Sequence, residues 1–592
     1  MLHRLPDGWR IEDLHSRSGS FLNGRLFQSE ELVFGDLLRI GPFNLRFDGR
    51  FLRETSGVTG ARLDARELAK TAGGVPILSD VSLTVEPCQF VGVIGPSGAG
   101  KSTLLDALCA LRPAHSGTVL LDGLDLYTNY ESLRGELGYV PQDDIVPLEL
   151  AVEDALFFSA RLRLPQGTPT SEIRRLVRHT LIRLGLGERA RTPVGRLSGG
   201  QRKRVSVGAE LLCRPRLMFL DEPTSGLDPA AEFRLMESLR HLATTGCTIL
   251  CTTHVMGNAY LFDRLAVMYG GRLVFFGEPA KALQQFQVER LTALYDRLDE
   301  APTRWSPHVE TAEAPGWQMV PQRQKRSAAL PVLLLRQWAI LKADWKNLML
   351  VLGQPIFIAA LVTWVSRDSS LVLFFAYIAT LWFGCGNAAQ EIVKELPMFR
   401  RERLIGLGRH EYLLAKFISL GRITIVQSLL LYGMMQLLSG GVGGSPALQI
   451  PGLIMAALAS TGIGLAISAW SRSILQAVML VPLVLIPQIL FSGFMPPAGD
   501  MKSGPYAVSR MMPSAAAQSI MDVSLFWGKK IGPNLRIDHP STFANLNRDK
   551  SLKNGQIYEK TGPARWGFWM LAAWIATAYC AAWLGLRGKE RG

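Results

Sequence analysis

The feature that most constrains this chain is a series of six long, almost uncharged apolar stretches, near residues 348–364, 371–387, 412–438, 450–470, 477–494 and 566–586. As helices they approach or exceed the length needed to cross the ~30 Å hydrocarbon core of a bilayer. One such run would fit a buried helix of a large soluble protein. A whole series with one-sided flanking charge is expected to span a membrane. The loop after the second stretch carries Lys394, Arg400, Arg401, Arg403 and Arg409, the loop after the fourth carries Arg472, and the tail carries Arg587, Lys589 and Arg591. The loop after the first holds only Arg367 with Asp368, and the loop after the third holds no charge. Lys and Arg accumulate in cytoplasmic loops, so both termini are expected in the cytoplasm of a multi-pass cell-membrane protein. The segment 495–565 is mixed in charge and long enough to be translocated regardless of it.

The same distribution disposes of another reading. A formal net charge of +14 raises nucleic-acid binding. Here the cations flank apolar stretches instead of covering one soluble face, so no nucleic-acid partner is expected.

With 592 residues, the chain exceeds what one hydrophobic core holds together, and several domains are expected. Residues 1–50 read as short strands and turns, and 51–61 as a linker. Residues 62–300 alternate short apolar runs with helical patterns, the signature of an α/β domain. Residues 301–328, rich in Pro, Gln, Arg and Glu, read as a second linker, and 329–592 is the membrane part. The fold class is therefore multidomain: an α/β phosphate-loop domain followed by an all-α transmembrane domain, with a small all-β fragment in front. Seven cysteines lack C-x-x-C spacing, so neither a zinc or redox site nor a structural disulfide is expected. Cys247 and Cys251 read as core residues of a buried strand. Residues 1–14 lack the apolar stretch of a secretory signal, which leaves insertion to the internal spans.

Gly95-Pro96-Ser97-Gly98-Ala99-Gly100-Lys101-Ser102-Thr103 follows the apolar run Phe90–Ile94 and precedes Leu104–Leu111. Strand, glycine loop and helix in that order let backbone N–H groups turn toward phosphates at a positive helix N-terminus. Lys101 would reach the β- and γ-phosphates of ATP, and the Ser102 hydroxyl would bind Mg²⁺. A second apolar run, Leu217–Leu220, ends in Asp221 and Glu222. Asp221 suits the Mg²⁺ shell, and Glu222 suits the general base that polarises the attacking water. A strand ending in Asp-Glu is common, and its weight comes from pairing with the phosphate loop.

Between the two lies Leu197-Ser198-Gly199-Gly200-Gln201, which resembles the signature of ABC ATPases. Gln142, in Gly138-Tyr139-Val140-Pro141-Gln142, resembles that family's Q-loop glutamine, which contacts the metal site and couples it to the membrane domain. Asp228 closes a string resembling the D-loop, and His254 resembles the switch histidine at the γ-phosphate. The resemblance spans residues 68–276 and implies phosphoryl transfer between two cassettes. The phosphate loop of one then faces Ser198 and Gly200 of the other, so that γ-phosphate charge is spread over donors from both. One cassette per chain implies a homodimer or a paralogous half-transporter as partner. One departure stands out: Leu68–Ala72, where the family often stacks adenine on an aromatic, contains none.

Cassette before membrane domain, with Arg202-Lys203-Arg204-Val205-Ser206 after the signature, resembles the ABC-G (White) group and its bacterial relatives. So do Leu335-Arg336 before the first span and the run Trp382 to Glu402. The resemblance implies an exporter and a coupling helix after the second span. Glu391, Lys394, Glu395, Arg400, Arg401 and Glu402 are expected to make salt-bridged contact with a polar domain surface. Phe491 to Pro497 resembles the group's turn at the end of the fifth span, where Gly and paired Pro break the helix. The scarcity of charge within the spans favours an apolar or amphipathic cargo and contact with membrane lipid.

Ile11 to Gly24 and Leu32 to Phe47 resemble the second half of a forkhead-associated (FHA) domain, a phosphothreonine-reading β-sandwich. The strands bearing that family's phosphate-binding arginine are absent, and Ser18 stands where an Asn usually holds the ligand. Half a sandwich is not expected to bury a stable core. A version completed upstream would bring a Ser/Thr kinase or phosphoprotein as partner. Two functions are thus in contention, an ATP-driven exporter and a membrane-anchored regulatory ATPase that relays a phosphorylation signal without transport.

Overall fold

The computed structural model describes residues 2–591 except 6–7, 14–19, 23–24, 34–35, 41–42, 48–50, 55–59, 144, 165–166, 214, 255–256, 301–328, 405 and 549. The chain divides into two compact units, residues 1–328 with 404–406, and 329–403 with 407–592. Much of the forkhead-like string, including Ser18, Gly19, Asn23 and Gly24, lies outside the described residues.

The first unit begins with eight short strands: β1 (Leu2–Leu5), β2 (Gly8–Glu12), β3 (Ser20–Leu22), β4 (Arg25–Phe27), β5 (Ser29–Leu32), β6 (Leu37–Ile40), β7 (Phe43–Phe47) and β8 (Leu52–Glu54). They pair antiparallel in two sheets, β1-β2-β5 and β4-β3-β6-β7-β8. Two expectations are corrected here. The segment 51–61 is not all linker, because Leu52–Glu54 adds β8 to the edge that β7 leaves open. The fragment also has a small core, in which Ile11, Phe27, Leu32, Leu38 and Phe47 are buried together, because inward residues from both sheets converge.

The cassette follows. Strands β9 (Leu63–Ala72), β10 (Val75–Val85), β12 (Ser116–Leu121) and β13 (Leu124–Asp125) form an antiparallel sheet ordered β10-β9-β12-β13. Strands β11 (Phe90–Ile94), β14 (Leu137–Val140), β15 (Leu217–Leu220), β16 (Thr248–Thr252), β17 (Arg264–Tyr269) and β18 (Arg272–Gly277) form the second, ordered β14-β15-β16-β11-β17-β18. All neighbours in it are parallel except β17 and β18. Every residue of β11, β15 and β16 is buried, as expected of parallel strands covered on both faces. Cys251 lies in β16 and Cys247 just before it, both buried. The helices of this unit are α1 (Lys101–Leu108), α2 (Tyr130–Leu133), α3 (Val152–Arg163), α4 (Thr170–Arg183), α5 (Gly199–Leu211), α6 (Pro229–Thr244), α7 (Pro279–Phe286) and α8 (Leu294–Glu300). Adjacency of β15, β16 and β11 brings three strand ends together at the carboxyl edge, where open α/β sheets bind ligands.

The second unit is helical: α9 (Ala329–Ala343), α10 (Trp345–Val365), α11 (Ser369–Ala388), α12 (Glu391–Leu404), α13 (Arg409–Ser439), α14 (Pro446–Trp470), α15 (Ile474–Leu490), α16 (Ser503–Ser509), α17 (Pro513–Phe526), α18 (Pro533–Asp538), α19 (Pro540–Leu546) and α20 (Gly562–Arg591). Among the described residues, five segments are long and apolar enough to cross a membrane: Trp345–Val365, Ser369–Leu404, Arg409–Ser439, Pro446–Trp470 and Gly562–Lys589. The remaining expected span, α15, has 17 residues. At 1.5 Å per residue it covers about 25 Å, just short of the hydrocarbon core. It stops at Leu490, ahead of Gly493 in left-handed backbone (φ 84°).

Small residues set the closest helix contacts, as is usual without a hydrophobic drive between helices. A Cβ on Gly384 of α11 would lie 1.9 Å from Ser460 Oγ of α14, and one on Gly464 of α14 would lie 2.6 Å from the Cys385 carbonyl oxygen. Three carboxylates of α12 have partners within the helical unit. Glu402 receives the buried Arg336 of α9 on both oxygens. The buried Lys416 of α13 lies 2.8 Å from Glu391 and 2.6 Å from Glu395. These three carboxylates are occupied inside the helical unit, because one face of α12 packs against cations that would otherwise be buried unpaired.

Candidate nucleotide site

Between β11 and α1 the chain must turn sharply, and glycines make this possible. Gly95, Gly98 and Gly100 have φ of 156°, 81° and 93°. A Cβ on Gly95 would lie 2.2 Å from the Met268 carbonyl oxygen, so no larger residue fits. Tyr295 of α8 accepts the Gly95 N–H at 3.1 Å. Pro96, Ser97 and Ala99 complete the loop, and Lys101, Ser102 and Thr103 form the first turn of α1. The buried Lys101 ammonium lies 2.9 Å from the Gly95 carbonyl and 3.0 Å from that of Pro96, folded against the loop it serves. Burial lowers its pKa, and the carboxylates of Glu222 and Asp221 oppose that shift.

The three adjacent strands supply the rest. Ser102 Oγ donates to Asp221 Oδ1 at 3.1 Å. Thr252, at the end of β16, donates its hydroxyl to the same oxygen at 2.7 Å and accepts the Glu222 N–H at 2.8 Å. Glu222 has a positive φ of 45°, an uncommon conformation for a side chain of this size. From there its carboxylate receives Gln142 Nε2 on Oε2 at 3.1 Å and pairs through Oε1 with His254 Nε2. Glu222, Gln142 and His254 therefore meet, next to Asp221 and Ser102. The oxygen set Ser102, Asp221 and Gln142 fits a hard cation such as Mg²⁺.

The signature residues lie elsewhere in the cassette. Ser198 caps α5, its Oγ accepting the Gln201 N–H at 3.4 Å while Gln201 Oε1 accepts the Ser198 N–H at 3.1 Å. Gly199 and Gly200 open the same helix, and a Cβ on Gly200 would lie 3.2 Å from that of Ala231. Asp228 caps α6 by accepting the N–H groups of Ala230 and Ala231.

Two contributors were not assigned from sequence. Thr252 ties the Asp221 carboxylate to the Glu222 backbone N–H, and its only signal is its place two residues before His254. Lys203 is buried on α5 and donates to the carbonyls of Pro141, at 3.0 Å, and Gln142. It thereby links the signature helix to the Gln142 segment, although the sequence marks it only as part of a basic run.

A phosphate loop, strand-end carboxylates, a glutamine and histidine on the second carboxylate, and a capped Ser-Gly-Gly-Gln helix define an ABC-type ATPase domain. The ABC transporter family matches residues 78–225, and the ABC-2 type transporter family, a membrane domain, matches residues 328–526. The chain belongs to the ABC transporters, with a nucleotide-binding cassette ahead of its membrane domain. It is 32% identical over 530 residues to the ABC transporter ATP-binding/permease protein Rv1747 of Mycobacterium tuberculosis (strain ATCC 25618 / H37Rv), covering 83% of this chain and 61% of that one. It is 41% identical over 220 residues to ABC transporter G family member 11 of Arabidopsis thaliana, covering 36% of this chain and 31% of that one. It is 38% identical over 219 residues to the broad substrate specificity ATP-binding cassette transporter ABCG2 of Rattus norvegicus, covering 36% of this chain and 33% of that one. The chain thus spans less than two thirds of the length of each of these relatives. A transporter-type membrane domain favours transport over the purely regulatory reading.

Proposed function

We propose that this chain is half of an ATP-driven exporter, which works as a homodimer or with a paralogous half-transporter. The observation that carries the reading is the convergence of Gln142 and His254 on Glu222, beside an Asp221 already held by Ser102 and Thr252. When bound, Mg²⁺ would neutralise phosphate charge and order the nucleotide, held by Ser102, Asp221 and Gln142. The loop Gly95 to Thr103, through its free backbone N–H groups and Lys101, binds the phosphates. Glu222 takes the proton of the attacking water, while Gln142 and His254 orient its carboxylate. Ser198, Gly199, Gly200 and Gln201 act in trans on the partner's nucleotide, with Asp228 at the same junction. Ser198 to Gln201 form a helix N-terminus of the kind that binds anions.

Both termini and the cassette lie in the cytoplasm, in keeping with Arg472, Arg587 and Lys589 at one end of their helices. Helix α15 crosses with the other five. Helix α12 transmits cassette movement, and its carboxylates anchor it to α9 and α13. The apolar spans favour an apolar or amphipathic cargo. The N-terminal β fragment is part of a forkhead-type domain.

The test is ATP hydrolysis by the full chain in lipid nanodiscs, with and without candidate lipids, beside Glu222→Gln. Activity that is stimulated by one lipid class and lost in the variant supports the reading. Activity surviving Glu222→Gln would remove the assigned base, and indifference to every lipid would undercut transport.

A further inference from the structure

In the helical unit, the end of α15 and the start of α20 join α16, α17 and α19 around a cavity of about 430 Å³. Two guanidinium groups line it. Arg510 lies 3.4 Å from the centre of the Trp566 ring, and Arg548 lies 3.4 Å from that of Tyr506. Stacking holds each guanidinium in place through its face and leaves in-plane N–H groups available to an anion. Arg548 uses one of these on the Ala498 carbonyl.

The facing wall is built to accept protons. Asp522 is 1% exposed. Its two oxygens receive Gln518 Nε2 at 2.6 Å and Asn545 Nδ2 at 2.8 Å. That first bond orients the Gln518 amide, because a carboxylate accepts only from its nitrogen. The other end, Gln518 Oε1, is then left with no donor among the described residues, although Gln518 is 3% exposed and lines the cavity. A buried carbonyl oxygen without a donor is costly, so such a group points to a ligand that donates. Burial pushes the Asp522 carboxyl up to about 7, against the pull of its amide donors. A cation at this wall would hold it ionised.

We propose that this cavity binds the headgroup of a phospholipid of the phosphatidylethanolamine class, its phosphate between Arg510 and Arg548 and its ammonium on Gln518 Oε1 and Asp522. The headgroup matches the walls in charge and in hydrogen bonding: an anion for two cations, and N–H donors for an unmatched oxygen and a carboxylate. The quaternary ammonium of phosphatidylcholine carries no N–H and leaves Gln518 unmatched. Phosphatidylglycerol brings no cation to Asp522. Leu546 and Ala515 give the cavity apolar walls. Val508 and Met511, flanking Arg510 in sequence, expose apolar surface to receive acyl chains. Ser492, just past α15, and Pro563 and Trp566, at the start of α20, line the cavity at the ends away from Arg472 and Arg587, so by the charge rule the site belongs to the outer leaflet. The assignment needs the membrane but neither hydrolysis nor transport.

The experiment is native mass spectrometry of the delipidated full chain in detergent, titrated with phosphatidylethanolamine, phosphatidylcholine, phosphatidylglycerol and water-soluble glycerophosphoethanolamine. Phosphatidylethanolamine is expected to bind about tenfold or more tightly than either other lipid, as charge-assisted hydrogen bonds allow. Arg548 is exposed, so Arg548→Ala should keep the fold, as read by thermal unfolding, while weakening that binding about tenfold. Gln518→Leu should erase the preference over phosphatidylcholine. Equal affinity for the three lipids, or binding unchanged in Arg548→Ala, would overturn the site. Equally tight binding of glycerophosphoethanolamine would overturn the lipid as its occupant.

Discussion

Gln142 donates from Nε2 to Oε2 of Glu222 across 3.1 Å, although 80 residues separate them. The same carboxylate pairs with His254. The proposed base is thus gripped from both sides by residues from the ends of different strands. Replacing it by Glu222→Gln keeps the shape and removes the proton acceptor. Steady-state phosphate release should fall by about a hundredfold or more, while nucleotide binding, read by a fluorescent analogue, should remain.

Thr252→Val tests the hydroxyl that joins the two strand ends. The variant keeps the volume of the side chain but deprives Asp221 of a donor and the Glu222 N–H of its acceptor. A loss of about 1–3 kcal/mol in stability is expected, together with roughly tenfold slower hydrolysis because Glu222 loses its position. Thermal unfolding beside an ATPase assay measures both. Unchanged turnover would show that the hydroxyl has no positioning role.

For Arg336 and Glu402 the informative comparison is single against double replacement. Arg336→Met leaves a buried carboxylate without its cation and should destabilise the chain by about 3–5 kcal/mol. Adding Glu402→Leu should restore most of that loss, since a buried pair replaced by apolar residues is often near neutral. Denaturation in detergent followed by tryptophan fluorescence reads the difference. Equal losses in single and double variants would contradict the pairing.

Asp522 predicts a pH dependence of stability. Its folded-state pKa of about 7 lies above the ordinary value of 3.8, so between these the folded chain holds a proton that the unfolded chain has lost. This contribution is complete below 3.8 and vanishes as pH rises through about 7. In delipidated detergent the wild-type Tm minus that of Asp522→Asn should therefore rise on going from about pH 8 to about pH 5. A flat difference would mean that Asp522 is ionised throughout.

Most of the nucleotide site was legible because its chemistry is written in short strings. The glycine loop, the strand ending in Asp221 and Glu222, and the helix capped by Ser198 are each local, and each depends on backbone turns or helix ends that a few neighbouring residues specify. The β fragment was less legible. Its strands are short, and its core of five buried residues draws on both sheets, which no single stretch reveals. The partners of the α12 carboxylates were not legible, because a charged helix looks solvent-facing until its neighbours are known. Arg336 and Lys416, on α9 and α13, are those partners.

By itself the sequence determined the order of cassette and apolar helices, the phosphate loop, and the residue types able to bind nucleotide, since these follow from periodicity, glycine backbone freedom and carboxylate placement. Tertiary structure decided what lies across from them. Thr252 reaches the Asp221 carboxylate and the Glu222 N–H because β16 runs beside β15, and Lys203 reaches the Gln142 segment because α5 packs near β14. Gln518 and Asp522 share a cavity with Arg510 and Arg548 only because short helices fold back between α15 and α20. Strand order and helix packing bring such groups together through contacts between residues far apart in the chain, and no local pattern encodes them.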